Sequence, residues 1–533
     1  MPHATKLVPN FYRDSVSLMQ LSGTLGKLPG VEQVSVIMAT PANLGLLREA
    51  GLLKDDLEAS PNDLLVAVQA KSAAALAGAI AEAERMLREE PRTASGDGAS
   101  VQMTPRSFEM AIAQGPDGAP PATLALISTP GDYAAAEAMK ALRLGLNVML
   151  FSDNVSVEDE IALKTLARER GLLVMGPDCG TAIINGVPLA FANVVRRGVI
   201  GCVGASGTGL QQVTCLVDRQ GLGISQAIGT GGHDLHASVG GITMLAGIEA
   251  LGRDPQTKVI VLISKPPAAE VARRVLAAAS KVGKPVVVNF VGADPKSIAG
   301  PNLHPVRTLE DAALAAVALA KGRKSAARRP AVKVPPWRLA AGQRYVRGLY
   351  SGGTFCYEAS LLLGEALGAA LGAVQSNAPV RSSEAIKDPW RSKCHTVIDL
   401  GDDIFTRGRP HPMIDHRLRN ERILKEAADP EVAVILLDVV LGHGAHADPA
   451  AEMAPVIAAA RSRAAKKKRR IAFVGFVCGT NADPQGLARQ ESALQAAGML
   501  LATSNAQAVM LAAGIAARGR AAKPARPGRG GAR

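Results

Sequence analysis

The chain has 533 residues, more than one hydrophobic core supports, which points to three or four domains of roughly 100–200 residues each. Its formal charge of +13 would suit a nucleic-acid binder, but 21 of the 60 basic residues fall in three acid-free stretches, 321–344, 461–470 and 518–533. The other 39 face 47 acidic residues, a balance of −8, and only 3% of the chain is aromatic, so there is little to stack on bases and nucleic acid is not expected as a partner.

A hydrophobic content of 47%, carried by Ala, Val, Leu and Ile, favours layered α/β packing. No apolar run reaches membrane-spanning length and the opening MPHATKLVPNFYRD lacks the apolar core of a signal peptide, so a cytoplasmic protein with no membrane partner is expected. The six cysteines form no CxxC pair, which indicates neither a metal site nor a disulfide framework.

In chain order, residues 1–92 alternate short apolar segments with amphipathic ones and predict a small α+β unit of the ferredoxin-like, split βαβ kind. Residues 93–121, rich in Gly, Pro, Ser and Ala, read as a linker. Strands at 123–127, 147–151 and 172–175, with helices between them, predict a parallel α/β unit over 122–198. The next unit, 199–322, opens with an apolar run that breaks into Gly204-Ala205-Ser206-Gly207-Thr208-Gly209 ahead of a helical pattern. A second run ends in Gly229-Thr230-Gly231-Gly232, before a helix expected to start near Asp234 or Ser238.

A basic, proline-containing linker at 323–337 precedes a restart of the pattern over 338–517, and 518–533 reads as a disordered basic tail. Within 338–517 the predicted strands run into Ser351-Gly352-Gly353-Thr354, Gly401-Asp402-Asp403, Leu441-Gly442-His443-Gly444-Ala445-His446 and Cys478-Gly479-Thr480-Asn481. Five βα units predict a flavodoxin-like, doubly wound parallel sheet with its ligand site at the strand carboxyl ends.

Glycine turns ahead of helices expose backbone N–H groups at the positive end of the helix dipole and let an anion approach closely. Two in succession, at Ser206–Gly207–Thr208 and Gly231–Gly232, argue for a phosphate-type site beyond mere connection. Neither carries a P-loop lysine, and no acidic residue stands where ribose recognition needs one, which argues against Walker and NAD sites.

The succession Gly176-Pro177-Asp178-Cys179-Gly180, the Gly204–Thr208 turn and Gly229–Gly232 resembles the succinyl-CoA synthetase α subunit. Over 123–516 the chain more closely resembles the FdrA family, in which an α-like part is followed by a part similar to the β-subunit carboxyl-terminal domain. The resemblance implies Rossmann-like CoA-binding-type and flavodoxin-like domains. It also implies a phosphate held between facing helix ends, Ser206, Gly207, Thr208, Gly231 and Gly232 on one side and Gly352, Gly353, Thr354, Gly479, Thr480 and Asn481 on the other.

The synthetases' phosphohistidine loop, Arg-x-Gly-His-Ala-Gly, is absent from 292–304, where His304 is the substitute by location. His443 and His446 are the acid/base candidates of the last domain. Nothing between Gly322 and Tyr345 has room for an ATP-grasp domain; no cofactor is required on this chain, with CoA an optional ligand and phosphate or carbamoyl phosphate the substrate. The family implies a subunit of an oxamate carbamoyltransferase, with other subunits or further copies as partners. A CoA-ligase subunit served by a separate nucleotide-binding chain is the alternative, and a non-catalytic scaffold a further one.

Overall fold

The computed structural model describes residues 1–53, 57–88, 105–113, 121–324, 331–407 and 409–521. The N-terminal unit contains β1 (His3–Val8), α1 (Ser15–Leu25), β2 (Val31–Met38), α2 (Pro41–Glu49), β3 (Leu64–Ala70) and α3 (Ala73–Arg88). Its antiparallel strands are ordered β1-β3-β2, the split βαβ arrangement with no fourth strand among the described residues. The Asp14 side chain caps α1, accepting the Ser17 N–H at 3.0 Å. A short helix, α4 (Phe108–Ala113), lies inside the stretch read as a linker; residues 93–104 and 114–120 are outside the described residues.

The second unit is a three-stranded parallel sheet, β4-β5-β6, built from β4 (Leu124–Ile127), α5 (Gly131–Arg143), β5 (Asn147–Leu150), α6 (Val157–Glu169) and β6 (Val174–Met175). The hairpin β7 (Thr181–Ile184) and β8 (Val187–Ala190) leaves this sheet and pairs through β7 with the next one, so the expected division at 198/199 falls after, not before, the first strands of the third unit. Strand partners are chosen by backbone geometry, which leaves little trace in two four-residue segments.

The third unit continues with β9 (Arg197–Gly204), α7 (Gly207–Arg219), β10 (Ile224–Gly229), α8 (Ile242–Arg253), β11 (Val259–Ser264), α9 (Ala269–Ala279), β12 (Val286–Phe290), β13 (Leu303–Pro305) and α10 (Leu309–Ala320). Its sheet order is β13-β12-β11-β9-β10-β7-β8, and the five parallel strands follow the flavodoxin order 2-1-3-4-5.

The last unit has β14 (Tyr345–Tyr350), α11 (Gly353–Leu371), β15 (Val374–Ser376), β16 (Ser383–Ala385), β17 (His395–Asp399), α12 (Asp403–Thr406), α13 (Arg417–Ala428), β18 (Val432–Val440), α14 (Pro449–Lys466), β19 (Ala472–Cys478), α15 (Leu487–Ala496), β20 (Met499–Ala502) and α16 (Asn505–Ala521). All seven strands are parallel, ordered β16-β15-β17-β14-β18-β19-β20. The five predicted strands again follow 2-1-3-4-5; β15 and β16, three residues each, extend the edge and were too short to register as apolar runs. Helix α16 continues to Ala521, into the stretch read as a tail.

One apolar core joins the last two units. Leu210 and Val213 of α7 and Ala316 of α10 belong to the same buried cluster as Phe355 and Leu363 of α11 and Val509 of α16. Each large apolar side chain buried there contributes about 1.5–3 kcal/mol, so the relative placement of the two sheets is set by packing. The second unit packs on the third through a buried apolar cluster that includes Met149, Met175, Ile228 and Ile248, and a polar device adds to it. The fully buried Lys164 ammonium of α6 lies 2.7 Å from Glu160, 2.8 Å from Asp234 and 3.0 Å from the Thr230 carbonyl. Asp234 also caps α8, accepting the N–H groups of Thr243 and Met244 at 3.0 and 2.9 Å.

The described part of the basic linker is strapped to the last unit. Arg518 donates to the Val334 and Pro335 carbonyls at 3.0 and 2.7 Å, and Arg470 stacks over the Trp337 ring at 4.1 Å. The N-terminal unit docks on the same domain through Lys27–Glu452 and Arg407–Glu49 ion pairs, each 3.0 Å. Among the described residues no helix is long and apolar enough to cross a membrane.

Candidate functional site

In an open parallel sheet the crevice lies where the chain leaves strand 1 in one direction and strand 3 in the other. In the third unit those strands are β9 and β11, and in the last unit β14 and β18. The two crevices face each other. Ser206 ends the turn after β9 and caps α7, its Oγ accepting the Gly209 N–H at 2.9 Å. The same Oγ lies 2.7 Å from Thr354 Oγ1 in the first turn of α11, and both residues are buried.

Helix α7 and the first, continuous part of α11, which kinks at Gly368, therefore bring their N-termini together. The N–H groups of Gly207, Thr208, Gly353 and Thr354 find no acceptor among the described residues, whereas Ser351 and Gly352 donate to the buried Asp438 at 2.9 and 3.0 Å. Ser206→Ala should remove the cap and cost about 0.5–2 kcal/mol of stability. Urea unfolding checks this, and an unchanged midpoint would show the cap to be dispensable.

Three further groups border the same space. Lys265 follows β11; it is exposed and forms no ion pair among the described residues. Asp399 closes β17, is 9% exposed, and accepts the Gly401 N–H on Oδ1 at 2.9 Å. A Cβ added to Gly353 would lie 2.6 Å from Asp399 Oδ2 and 3.8 Å from Lys265 Nζ, so the α11 terminus, the carboxylate and the ammonium converge on one spot. Burial raises the Asp399 pKa to about 6 against the pull of Lys265.

His411 stands on the other side of Gly401, its Nε2 2.8 Å from where a Cβ there would be. The Met413 N–H donates to its Nδ1 at 3.2 Å, so the neutral ring carries its hydrogen on Nε2. Burial, then the Arg419 charge, push its pKa down to about 4, which keeps it a neutral donor at physiological pH.

Asp178, Asp153 and Asp403 lie near enough to act on one another electrostatically, and Lys265 acts on Asp178. Burial, then Asp153 and Asp403, raise Asp178 to about 7, with Lys265 pulling the other way. Burial also raises Asp153. All three are nevertheless open to solvent.

Of the anticipated residues, Ser206, Gly207 and Thr208 come together with Gly352, Gly353 and Thr354; a Cβ on Gly352 would lie 2.9 Å from Thr208 Cγ2. The others require correction. Gly231 and Gly232 do not start a helix, because α8 begins only at Ile242 and is capped by Asp234. Gly231 instead forms a tight joint between units, with φ +83° and a would-be Cβ 2.1 Å from the Pro177 carbonyl oxygen, and Gly232 abuts Asp178.

Gly479, Thr480 and Asn481 lie at the opposite end of α7, about 20 Å along its axis at 1.5 Å per residue. There Arg219 donates to the Gly479 carbonyl at 2.9 Å and Thr480 Oγ1 to that of Val194 at 2.6 Å. Thr480 and Asn481 line, with Arg196 and Asp218, a separate groove of about 580 Å³.

His304 is in edge strand β13, paired beside Val287 and three strands from β9. His446 binds the N-terminal unit, its Nε2 3.0 Å from Lys27 Nζ, while its Nδ1 accepts the Asp448 N–H at 3.0 Å. The His443 ring is exposed, and its backbone N–H donates to Ala192 at 2.9 Å. Lys265, Asp399 and His411 were not singled out in the sequence, although Lys265 and Asp399 both end apolar strands, where such residues signal a site.

Comparison with known proteins follows this geometry. Residues 349–515 match the CoA-ligase family, 196–292 the CoA binding domain, and 1–104 the AllF heavy metal-associated domain, a stretch that contains no cysteine. The first two matches cover the two facing sheets. The uncharacterized protein YahF of Escherichia coli K12 is 45% identical over 510 residues, 95% of this chain and 96% of YahF.

The α subunit of the ADP-forming succinate–CoA ligase of Aquifex aeolicus is 29% identical over 177 residues, 32% of this chain and 57% of that subunit. The chain thus matches only about half the length of such subunits. A dinucleotide-forming acetyl-coenzyme A synthetase of Candidatus Korarchaeum cryptofilum, solved with phosphate and ADP, aligns with 80% of this chain and 88% of its own, at 15% identity and a TM-score of 0.33.

Proposed function

Because the chain belongs to the family of Escherichia coli YahF, we propose that it acts as an FdrA-type carbamoyltransferase subunit, converting oxalurate and phosphate to oxamate and carbamoyl phosphate in the breakdown of purine-derived ureides. The observation that carries this reading is the meeting of two helix N-termini at Ser206 and Thr354 beside Lys265, which forms no ion pair among the described residues. Phosphate placed there gains from both helix dipoles, each worth about 0.3–1 kcal/mol and up to ~2 when partly buried, and from unused N–H donors. The same donors stabilise the oxyanion that forms when phosphate attacks the carbamoyl carbon. The neutral His411 Nε2–H supplies a further donor at the rim.

The reaction needs no nucleotide, which suits a chain whose segment between Gly322 and Tyr345 is too short for an ATP-grasp domain. No cofactor is required in this reading, and other subunits of a cytoplasmic catabolic complex are its partners. The CoA-ligase and CoA-binding matches favour a second reading, an acid–CoA ligase subunit that depends on a separate nucleotide-binding chain.

Calorimetric titration with phosphate, carbamoyl phosphate and CoA separates the two. Tight CoA binding with no response to phosphate or carbamoyl phosphate would sink the carbamoyl reading. A mass gain of one phosphoryl group on incubation with ATP and the partner chain would support the ligase. Normal assembly without any of these ligands binding would leave a scaffold. Lys265→Met should weaken phosphate roughly 10- to 100-fold, since a charge-assisted contact is worth about 1.5–3 kcal/mol; unchanged affinity would remove Lys265 from the site.

A further inference from the structure

Asp399 differs from three other buried aspartates of the protein. Asp438 uses both oxygens, Oδ1 accepting from Ser351 N and Arg419 and Oδ2 from Ser351 Oγ and Gly352 N. Asp234 likewise engages both, with Lys164, Thr243 and Met244, and so does Asp483, with Val194, Asn193 and Thr480. These are structural carboxylates, and their hydrogen bonds are complete.

Asp399 is 9% exposed, yet only Oδ1 is held, by the Gly401 N–H at 2.9 Å, and Oδ2 has no donor among the described residues. That free oxygen points at the Gly353 terminus of α11, where the unused N–H groups and Lys265 converge. A fixed carboxylate with one arm locked and the other open to an anion site is arranged for proton transfer.

We infer that Asp399 is the proton carrier of this site, a role that rests on the carbamoyl-transfer reading. As an oxygen of hydrogen phosphate attacks the carbamoyl carbon, Asp399 Oδ2 takes that phosphate's hydrogen. The tetrahedral intermediate then collapses, the carbon–nitrogen bond breaks, and Asp399 returns the proton to the departing amide nitrogen of oxamate. One C–O bond forms, one C–N bond breaks, the proton passes from phosphate to oxamate, and the carboxylate ends as it began.

The groups facing Asp399 are Lys265, Asp402, Asp438, Cys356 and, across Gly401, His411. Its pKa of about 6 suits exchange near neutrality. In the direction from oxalurate the carboxylate must start ionised, so the rate should rise with pH through about 6 and then level.

The test uses the full-length chain and Asp399→Asn, in which an amide oxygen still accepts from Gly401. Phosphate should bind the variant as tightly as the parent or more tightly, because a like charge is gone. Transfer should fall about 10²- to 10⁴-fold, and the limb near pH 6 should vanish. Asp178→Asn serves as comparison; if it, and not Asp399→Asn, loses the limb, the assignment is overturned.

A parent protein that transfers no carbamoyl group would refute the proposed function by itself. Asp399 is then judged on binding alone, by calorimetry at pH 7 in buffers of different ionisation heat. A phosphate dianion beside Asp399 should make the parent take up more protons than Asp399→Asn, and equal uptake overturns the inference. Should the variant not fold, carbon-13 NMR of the Asp399 carboxyl in the parent decides: its titration should move upward when phosphate is added, and an unmoved titration overturns the inference.

Discussion

Lys164→Met is expected to destabilise the protein by about 3–5 kcal/mol, the usual result of removing one member of a buried ionic cluster. The ammonium is fully buried between Glu160, 1% exposed, and Asp234, 0% exposed, at 2.7 and 2.8 Å. Methionine fills much of the volume but leaves two carboxylates facing each other without a cation, and the Thr230 carbonyl without its donor. Loss should appear first at the contact between the second and third units, because Lys164 and Glu160 lie on α6 while Asp234 caps α8. Hydrogen exchange at Thr243 and Met244, whose N–H groups bond to Asp234, would locate it. Protection at those amides equal to the parent's, with an unchanged unfolding midpoint, would show that the cluster is not what joins these units.

Gly353→Ala should abolish phosphate binding, more than 100-fold or above ~2.7 kcal/mol, while leaving most of the fold intact. The new methyl would sit 2.6 Å from Asp399 Oδ2 and 3.8 Å from Lys265 Nζ, inside the space an anion must occupy. Asp399 cannot swing far, since Gly401 holds its other oxygen. Gly207 is the position that the glycine pattern alone would choose for this test, and there the structure predicts a milder result. Its φ is not in the left-handed range, and a Cβ would approach only Thr181 Oγ1, at 3.1 Å. Calorimetry and urea unfolding of both alanine variants make the comparison; normal phosphate affinity in Gly353→Ala would dissolve the proposed site.

The difference between those two glycines shows what the sequence can and cannot convey. Strand, turn and helix around Ser206 are legible because apolar runs and a capping residue act over a few neighbours. Family resemblance implies that Ser206 and Thr354, 148 residues apart, face each other, and their hydroxyls lie 2.7 Å apart. Gly231–Gly232 looked like a second helix start because a glycine turn after a strand usually is one; here Asp234 turns inward to Lys164 and delays α8 to Ile242. Gly479–Asn481 lies at the correct edge of its sheet but two strands from β14, a distance that depends on strand order alone. Lys265, Asp399 and His411 converge through three separate strand or loop ends, and no local pattern links them.

The contact between Ser206 and Thr354 lies within a single polypeptide. When two separate chains each supply one half of an anion site, the site disappears on dilution below their dissociation constant. Tethered halves meet at an effective concentration on the order of millimolar for a short flexible connection, and the packing of α7 against α11 holds them closer still. The anion site of this protein should therefore stay assembled at any enzyme concentration, and phosphate affinity per chain should be the same at nanomolar as at micromolar protein.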